Sequence, residues 1–409
     1  MLKFIAKVSL VMFSAGALMI TGSKNATAKV EGDTIILGAA VSLTGKYSTN
    51  GKHTKDGYDL AVRRVNENGG IKVGDKSYKL KIIYYDDEST PARAAQLAER
   101  LINQDGVKYM LGPYSSGVTA AMAPVTEKYK IPMVEGNGAS LSLFNKGYKY
   151  LFATLSTTEY YLKSAVELMA EKAPEIGKRP SQVTIAMAFE NDPFSQDVRA
   201  GVVQDAKKYD MRIVIDDKLP PEINDMAATL TKVKAVNPDL LVVSGHAKGA
   251  TLVVRQTNEM RVRVPMMATT HCDSAKVAET MPEAAEGFLC SSQWDRSLKY
   301  SGKWFGPAEQ YARLFEKTYN YAPPYQAAES TAAVLVFVDA FNRCQCFAPD
   351  KLRDAIAATD METFYGHINF DKTGKNIAKP MILYQIQGGE YQVVAPTRWA
   401  EAKVKFPLK

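Results

Sequence analysis

Two adjacent hydroxyl side chains, Ser115 and Ser116, stand where an apolar segment of the sequence meets a helical pattern. The stretch Met110–Tyr129 reads MLGPYSSGVTAAMAPVTEKY, so Tyr114 directly precedes the serine pair. A helix that begins here offers free backbone N–H groups and the positive end of its dipole. Together with the two hydroxyls, these groups suit a small anion such as a carboxylate. The alternative is that Ser116 serves only as the helix N-cap.

A second polar junction follows the next apolar run and comprises Asn137, Gly138, Ala139 and Ser140. Its small side chains leave backbone groups accessible, and its serine adds a hydroxyl. Glycine at position 138 lets the backbone approach a ligand closely, because no Cβ stands in the way. The alternative is an ordinary glycine-containing loop.

The second half of the chain offers aromatic and imidazole groups at its junctions instead. Phe194, His246 and His271 lie at the ends of apolar runs, and the whole chain contains only four histidines. Ligand sites are usually clefts with a few converging polar groups, so the two histidines are candidate ligand contacts. The alternatives are structural histidines or a weak metal pair, for which the sequence offers no evident third ligand.

Motifs of known enzymes and metal sites are missing from the sequence. It contains no GxSxG, HExxH or paired CxxC pattern. A hydrolase that used Ser116 with a histidine would need a positioned base and an orienting acid, and neither is evident. A carboxylate cluster at Asp86, Asp87 and Glu88 is better explained as a solvated turn before the next helix.

The N-terminus has the pattern of a secretory signal peptide. Lys3 and Lys7 precede VSLVMFSAGALMI, and Ala26-Thr27-Ala28 supplies small residues for cleavage after Ala28. Removal of residues 1–28 takes away three lysines, which lowers the formal charge of the 409-residue chain from +7 to +4. We therefore expect an exported, soluble protein located in the periplasm. The mild charge and the lack of a dense basic run argue against a nucleic-acid partner.

Four cysteines remain after the signal sequence. Cys272 and Cys290 each accompany an apolar run that could be one of two neighbouring strands, so a disulfide between them is possible. Cys344 and Cys346 are too close in sequence to bridge comfortably, and we expect at least two of the four to be buried thiols. Neither pair has the spacing of zinc ligands.

Apolar runs alternate with helical patterns through most of the chain, which predicts an α/β fold with parallel sheets covered by helices. Ligands bind beyond the C-terminal ends of the strands in such sheets, so each strand-to-helix junction is a candidate site. The Gly388-Gly389 pair near the end predicts a hairpin turn. The predicted strands of the two α/β series are Ile35–Val41, Leu80–Tyr85, Lys108–Leu111 and Ile131–Val134, then Val183–Ala188, Met211–Ile215, Leu240–Val243 and Val264–Ala268. The predicted helices include Thr54–Asn68 after the first strand and Ala327–Asn342 in the last part of the chain.

Seven short motifs, in a specific order and spacing, resemble a known family. The chain is similar over Thr34–Pro396 to the periplasmic substrate-binding proteins of branched-chain amino acid ABC transporters, the Leu/Ile/Val-binding type. No single motif is decisive, but their combination is specific. The motifs are ILGAAVSLTG, NENGGI, YYDDES, GPYSSG, ENDPFSQD, NPDLLVVSGH and INFDKTG.

The resemblance implies the type I periplasmic binding protein fold, in which two Rossmann-like lobes close on a ligand by hinge bending. Three crossings near Thr154, Trp294 and Phe370 would join the lobes. Residues 29–154 plus 296–368 would form lobe 1, and residues 155–295 plus 369–409 would form lobe 2, with the ligand cleft between them.

The resemblance also implies a solute receptor that delivers its ligand to membrane permease subunits. The expected protein is a monomer, catalyses nothing and needs no cofactor or metal. Ser116 would hold a ligand carboxylate, and the loop at 137–139 would contact the same head group. The implied ligand-binding residues are Tyr114, Ser115, Ser116, Asn137, Gly138, Ala139, Ser140, Phe194, His246, Thr270 and His271, with Asn50, Trp294 and Tyr325 as further candidates.

One departure from the family bears on the ligand. Leu/Ile/Val binders meet the α-ammonium group with an acidic residue of the second lobe, but the matching position near Thr270 and His271 has no carboxylate. A desolvated ammonium without a counter-charge is unfavourable. A branched-chain or hydrophobic amino acid still stands first because of the resemblance to the family, with aromatic or other organic acids and amides as close alternatives. A ligand-sensing module for a membrane receptor is the alternative of another class.

Overall fold

A computed structural model describes residues 30–408, and the predicted signal peptide with its cleavage site lies outside them. The first part of the chain forms a seven-stranded sheet in the order β3-β4-β2-β5-β6-β7, with β1 paired to β2. Strands β2, β4, β5, β6 and β7 are parallel. The strands are β1 (Val30–Glu31), β2 (Thr34–Val41), β3 (Ile71–Val73), β4 (Lys76–Asp86), β5 (Met110–Leu111), β6 (Met133–Glu135) and β7 (Leu151–Ala153).

Four helices follow strands of this sheet: α1 (Ser48–Glu67), α2 (Pro91–Asn103), α3 (Ser116–Tyr129) and α4 (Leu141–Phe144). Helix α1 begins six residues before the predicted start at Thr54. The added turn contains Gly51, where a Cβ would lie 1.8 Å from the backbone oxygen of Ser42. Tertiary packing thus overrides the weak helix propensity of glycine.

The next part of the chain builds the parallel core of a second sheet. Its strands are β8 (Thr184–Glu190), β9 (Arg212–Leu219), β10 (Leu240–Ser244), β11 (Met266–Thr270) and β12 (Leu289–Ser292). They alternate with α5 (Lys163–Lys172), α6 (Pro193–Lys208), α7 (Ala227–Val236), α8 (His246–Glu259), α9 (Val277–Thr280) and α10 (Pro282–Ala285).

The last part of the chain adds a helix that packs on the first sheet and two strands that extend the second sheet. It contains β13 (Ser301–Gly302), β14 (Gly306–Pro307), α11 (Ala308–Tyr319), α12 (Tyr325–Cys344), α13 (Pro349–Ala357), β15 (Asp360–Thr363), β16 (Gly366–Asn369), β17 (Ile382–Gln387) and β18 (Glu390–Ala395). Helix α12 packs against α1 and β6. Strands β17 and β18 form the predicted Gly-Gly hairpin and complete a second sheet in the order β18-β17-β12-β11-β10-β8-β9.

Two α/β lobes result, each with a largely parallel sheet, as predicted. We call the β1–β7 sheet with its packed helices, including α12, the first lobe, and the other sheet with its helices the second lobe. The chain runs from one sheet towards the other after β7, after β12 and after β16. The residue boundaries of the lobes stay a prediction. Nearly every side chain of β2, β8 and β10 is buried, because helices cover both faces of these strands.

Both cysteine pairs are disulfides. Cys272–Cys290 joins the end of β11 to the neighbouring β12, with Cα atoms 6.0 Å apart. Cys344–Cys346 is also bridged, so the expectation that this pair is too close was wrong, and so was the expectation of buried thiols. Gln345 between them has φ +52°, a left-handed turn at the end of α12 that brings the two Cα atoms to 5.1 Å. Residues 30–408 contain no free cysteine and no helix long and apolar enough to cross a bilayer.

Candidate functional site

The serine pair lies at the start of α3, as its sequence pattern predicts. Ser115 is the N-cap, and its Oγ accepts a hydrogen bond from the N–H of Val118 at 3.4 Å. The alternative role considered for Ser116, helix capping, thus belongs to its neighbour. Ser116 is fully buried, and its Oγ accepts a hydrogen bond from the N–H of Ser140 at 3.0 Å. The hydroxyl hydrogen of Ser116 remains available to a ligand.

Helix α6 of the second lobe begins opposite α3. Asp192 caps α6 by accepting a hydrogen bond from the N–H of Ser195 at 3.1 Å. A Cβ on Gly117 would lie 3.7 Å from Cδ of Pro193, which shows how closely the two helix starts approach. Because both dipoles present their positive ends here, the space between the lobes favours an anionic group.

Tyr114 connects the lobes through two histidines. Its phenol oxygen lies 2.9 Å from Nδ1 of His246 and 3.1 Å from Nε2 of His271. A phenol carries one hydrogen, so one ring nitrogen accepts and the other donates when both rings are neutral. Burial, with His246 close by, lowers the pKa of His271 well below 6.5 and keeps this ring neutral at pH 7. Burial also raises the pKa of Tyr114 well above its usual value.

Three residues around the cavity have unusual backbone conformations. Ser115, His246 and His271 have φ values of +79°, +54° and +64°. Residues other than glycine rarely adopt this left-handed backbone conformation, and those that do cluster at ligand sites. The surrounding fold therefore holds these side chains in orientations that the local sequence alone would not favour.

Thr270 supports His271 from behind. Its Oγ1 lies 3.0 Å from Nδ1 of His271 and 3.2 Å from Oγ of Ser244, which in turn lies 3.2 Å from Oγ of Ser195. All these hydroxyls are buried. Thr270 thus orients the imidazole and does not itself line the cavity.

A narrow cavity lies between the lobes at these residues, and the space free inside it is about 10 Å³, roughly that of one water molecule. It brings together eight of the residues predicted from the sequence and three that were not predicted. The predicted ones are Tyr114, Ser115, Ser116, Asn137, Phe194, His246, His271 and Tyr325, and the additional ones are Tyr161, Gln326 and Glu329.

The backbone N–H groups at the start of the 137–140 loop bind a side chain of the protein, whereas the sequence predicted that they contact the ligand. The N–H groups of Asn137 and Gly138 both donate to Oε1 of Glu135, at 2.8 Å for Gly138. A carboxylate of the protein therefore fills the position that the sequence assigned to a ligand head group. Burial raises the pKa of Glu135 to about 7. Gly138 itself packs tightly, since a Cβ there would lie 2.6 Å from Oγ1 of Thr119.

Ala139 and Ser140 serve contacts other than the cavity. The carbonyl of Ala139 accepts a hydrogen bond from the N–H of Thr158 at 3.0 Å. Ser140 donates through Oγ to Oδ2 of Asp197 in α6 at 2.5 Å. Ser140 therefore joins the two lobes at the edge of the cleft.

Two of the further candidates lie away from the cavity. Trp294 is buried, donates through Nε1 to the carbonyl of Phe364 at 2.9 Å, and packs edge-on against Tyr311. It is a core residue next to one of the passages between the lobes. Asn50 is buried in α1, and its Nδ2 has no hydrogen-bond partner among the described residues.

Several polar atoms of the cavity-lining residues have no partner within the described chain. These buried atoms are Oδ1 of Asn137, Nε2 of His246, and both Nε2 and Oε1 of Gln326. A buried polar atom without a hydrogen bond is unfavourable, so native proteins rarely leave several together without a ligand or water. Gln326 was not predicted as a site residue because the helix was predicted to begin only at Ala327. The Pro323-Pro324 pair before α12 is the signal that could have found its start.

A cluster of possible metal ligands borders the cavity. Glu190, Asp192 and His246 offer donor atoms within 4.8 Å of one another. Nε2 of His246 lies 3.4 Å from Oδ1 of Asp192, an ion-pair distance without a hydrogen bond. Nζ of Lys46 lies 2.6 Å from Oε1 of Glu190 and already supplies a positive charge to this carboxylate. The expectation that no metal is bound stays a prediction.

Comparison with known proteins places the chain in a family. A family model described as periplasmic binding protein matches residues 34–390. The Leu/Ile/Val-binding protein homolog 8 of Brucella abortus (strain 2308) is 25% identical over 379 residues, which cover 90% of this chain and 92% of that protein.

Two solved structures show the same fold. The branched-chain amino acid transporter substrate-binding protein LivJ of Streptococcus pneumoniae, in complex with isoleucine, matches with a TM-score of 0.75 and 22% identity over 89% of this chain and 100% of that one. A solute-binding protein of an ABC transporter from R. palustris, in complex with benzoate, matches with a TM-score of 0.76 and 17% identity over 88% and 95%. The two lobes thus have the type I periplasmic binding protein fold. The chain belongs to the periplasmic binding protein family.

Proposed function

We propose that this protein is the periplasmic solute receptor of an ABC importer, and that it captures a small carboxylate-bearing solute between its lobes. The observation that best supports this proposal is the cavity where the starts of α3 and α6, two histidines and several unpartnered polar atoms converge. A branched-chain or other hydrophobic amino acid is the first solute class. The receptor then hands this solute to membrane permease subunits.

The carboxylate is assigned to the start of α3. Ser116 donates its free hydroxyl hydrogen, and the N–H groups of Ser116 and Gly117 have no partner among residues 30–408. The opposite start of α6 adds its dipole from the second lobe. Helix starts bind carboxylates because N–H groups and dipole act on the same anion.

The lining of the cavity favours a small, partly apolar solute. The free space of about 10 Å³ lies far below the range of about 300 Å³ or more that is common for ligand pockets, so the lobes must move apart to admit a solute. Rings of Phe194, Tyr161 and Tyr325 line it together with the two histidines. These rings also support a second candidate, an aromatic carboxylate, the class to which the benzoate bound by the R. palustris protein belongs.

Binding is proposed to act by closing the lobes. Three contacts support the closed arrangement: Tyr114 with the histidines, Lys46 with Glu190, and Ser140 with Asp197. A solute drives closure only to the extent that it stabilises the closed form over the open one. We retain the proposed lobes of residues 29–154 plus 296–368 and 155–295 plus 369–409, acting in a monomer without catalytic turnover.

A thermal-shift screen followed by calorimetry tests the proposal. Hydrophobic amino acids, aromatic acids, dicarboxylates and amides are each added to the mature protein. A true solute raises the melting temperature by mass action and binds with one-to-one stoichiometry. Failure of every carboxylate in the panel would refute the proposed solute class. Turnover of chromogenic esters that Ser116→Ala abolishes would instead indicate a hydrolase, and exclusive docking to a membrane receptor would indicate a sensing module.

A further inference from the structure

We infer that the cavity binds a primary ammonium group of the solute through Asn137, Gln326 and Glu329, all held by the first lobe. The inference rests on the proposed function and narrows it, because it makes the solute an amino acid and not a simple carboxylic acid. It also moves the counter-charge to a different lobe from the position near Thr270 and His271, where the sequence offers no acid.

The three side chains meet at one face of the first turns of α12, which itself carries Gln326 and Glu329. Gln326 and Glu329 are three residues apart, so they are neighbours on the helix surface. Asn137 is tied to the same face, since its Nδ2 donates to Oγ of Ser330 at 2.8 Å. All three residues line the cavity and are between 1% and 6% exposed.

The hydrogen bonds of Ser330 fix the orientation of the Asn137 amide. Ser330 uses its single hydroxyl hydrogen to donate to the carbonyl of Gln326 at 2.6 Å. It can therefore only accept from Asn137, and the atom that contacts it must be the NH₂ group. Oδ1 of Asn137 is consequently the atom left without a partner.

Glu329 is a buried acid without a basic group at ion-pair distance in the described chain. Its Oε2 accepts one hydrogen bond, from the phenol of Tyr365 at 3.2 Å. None of the ion pairs within residues 30–408 includes Glu329. The nearby Lys379 instead donates to the carbonyl of Gln293 at 2.5 Å. Burial raises the pKa of Glu329 well above 4.5 despite the opposing charge of Lys379, as expected for a buried acid that has no counter-charge in direct contact.

The number of acceptors matches a primary ammonium. Such a group has three N–H donors, and the cavity offers Oδ1 of Asn137, Oε1 of Gln326 and the carboxylate of Glu329. The other buried acids nearby are already engaged. Glu135 accepts from the backbone of the 137–140 loop, and Asp273 accepts from the N–H groups of Ser274 and Tyr325. Glu329 is thus the acid of the cavity wall that has capacity for a solute cation.

Matched ligand pairs test this inference by calorimetry on the mature protein. Leucine is compared with 4-methylpentanoate, and phenylalanine with 3-phenylpropanoate, which have the same skeletons without the ammonium. We expect the wild type to prefer the amino acid of a pair. Glu329→Gln should lower amino-acid affinity about 10- to 100-fold and leave the affinity for the desamino acid unchanged. Glu362→Gln makes the same charge change at an exposed residue outside the cavity and should change neither.

The ratio of the two affinities separates recognition from folding, because a structural defect weakens both members of a pair alike. If Glu329→Gln does not fold, Tyr365→Phe replaces it, since it removes the described hydrogen bond of the carboxylate, and the ratio should again fall. Equal wild-type affinity within the pairs, or equal loss for both members, would overturn the ammonium site and leave the carboxylate receptor standing. Absence of binding by every amino acid and acid would reject both.

Discussion

The phenol oxygen of Tyr114 and Nδ1 of His246 lie 2.9 Å apart and join the two lobes directly across the cavity. Tyr114→Phe keeps the ring and removes this hydrogen bond together with the one to His271. We expect weaker solute binding, by about 1–3 kcal/mol for two neutral hydrogen bonds, because the closed form loses them and the open form does not. Calorimetry gives the affinity, and small-angle X-ray scattering should show a larger open fraction. Unchanged values in both measurements would rule out Tyr114 as a closing contact.

Removal of the Ser116 hydroxyl is expected to weaken carboxylate binding specifically. Ser116→Ala should reduce affinity by about 1.5–3 kcal/mol, the usual effect of losing a hydrogen bond to a charged group. Thr126→Ala is a matched control, since it removes another buried hydroxyl at the far end of the same helix. Calorimetry should show a loss for the first variant alone. Similar losses in both would mean that the helix, and not the hydroxyl, is responsible.

Glu135 should make the protein more stable below neutral pH. The Glu135 carboxyl is fully buried, and its Oε2 accepts a hydrogen bond from the hydroxyl of Thr119 at 2.9 Å. Burial outweighs this hydrogen bond and raises the pKa of the acid. The folded pKa of about 7 exceeds the usual 4.5, so the folded state binds more protons between these values. This contribution to the unfolding free energy is complete below pH 4.5 and is lost as the pH rises through 7.

Glu135→Gln mimics the protonated acid and should remove that pH dependence. Urea unfolding at pH 5 and pH 7.5 measures it as the difference between wild type and variant. Subtraction is needed because Asp273, with a pKa raised to about 7, acts in the same direction, while His53, lowered to about 3, acts in the opposite one. A constant difference between the two proteins at both pH values would contradict a proton on Glu135.

The Cys272–Cys290 disulfide should stabilise the fold and the histidine beside it. A bridge across 18 residues is expected to contribute about 3 kcal/mol by restricting the unfolded chain. Replacing both cysteines by serine should lower the melting temperature and weaken solute binding, because Cys272 directly follows His271. The Cys344–Cys346 bridge closes a far shorter loop. Replacing both of these cysteines by serine should therefore change the melting temperature and the solute affinity less. The reverse order of effects would exclude this role.

The sequence predicted the parts of the site that depend on local signals. Ser116, His246 and His271 follow strands of a parallel sheet, and strand ends in such sheets meet along one edge. Gln326 was missed because the start of α12 was placed too late. Glu329 lay inside the predicted helix, where a single acid gives no local signal that it faces the cleft. Tyr161 carries no local signal, since it lies in the connection after β7 and reaches the cavity only through the packing of the second lobe.

The errors share a cause in tertiary structure. Nothing in the sequence near Glu135 shows that its carboxylate turns back onto the N–H groups of the following loop. The bridge between Cys344 and Cys346 depends on one left-handed residue at a helix end. In contrast, the alternation of apolar runs and helices defines the two-sheet architecture, because burial of both sheet faces imposes it on every strand.

The eleven residues around the cavity are all at most 6% exposed, so the two lobes together cover almost all of their surface. A solute held there can leave only when the lobes separate. Its residence time is therefore the lifetime of the closed form, and it is set by contacts such as Lys46 with Glu190 that never touch the solute. A transporter that pulls the lobes apart can empty the receptor without recognising the cargo itself.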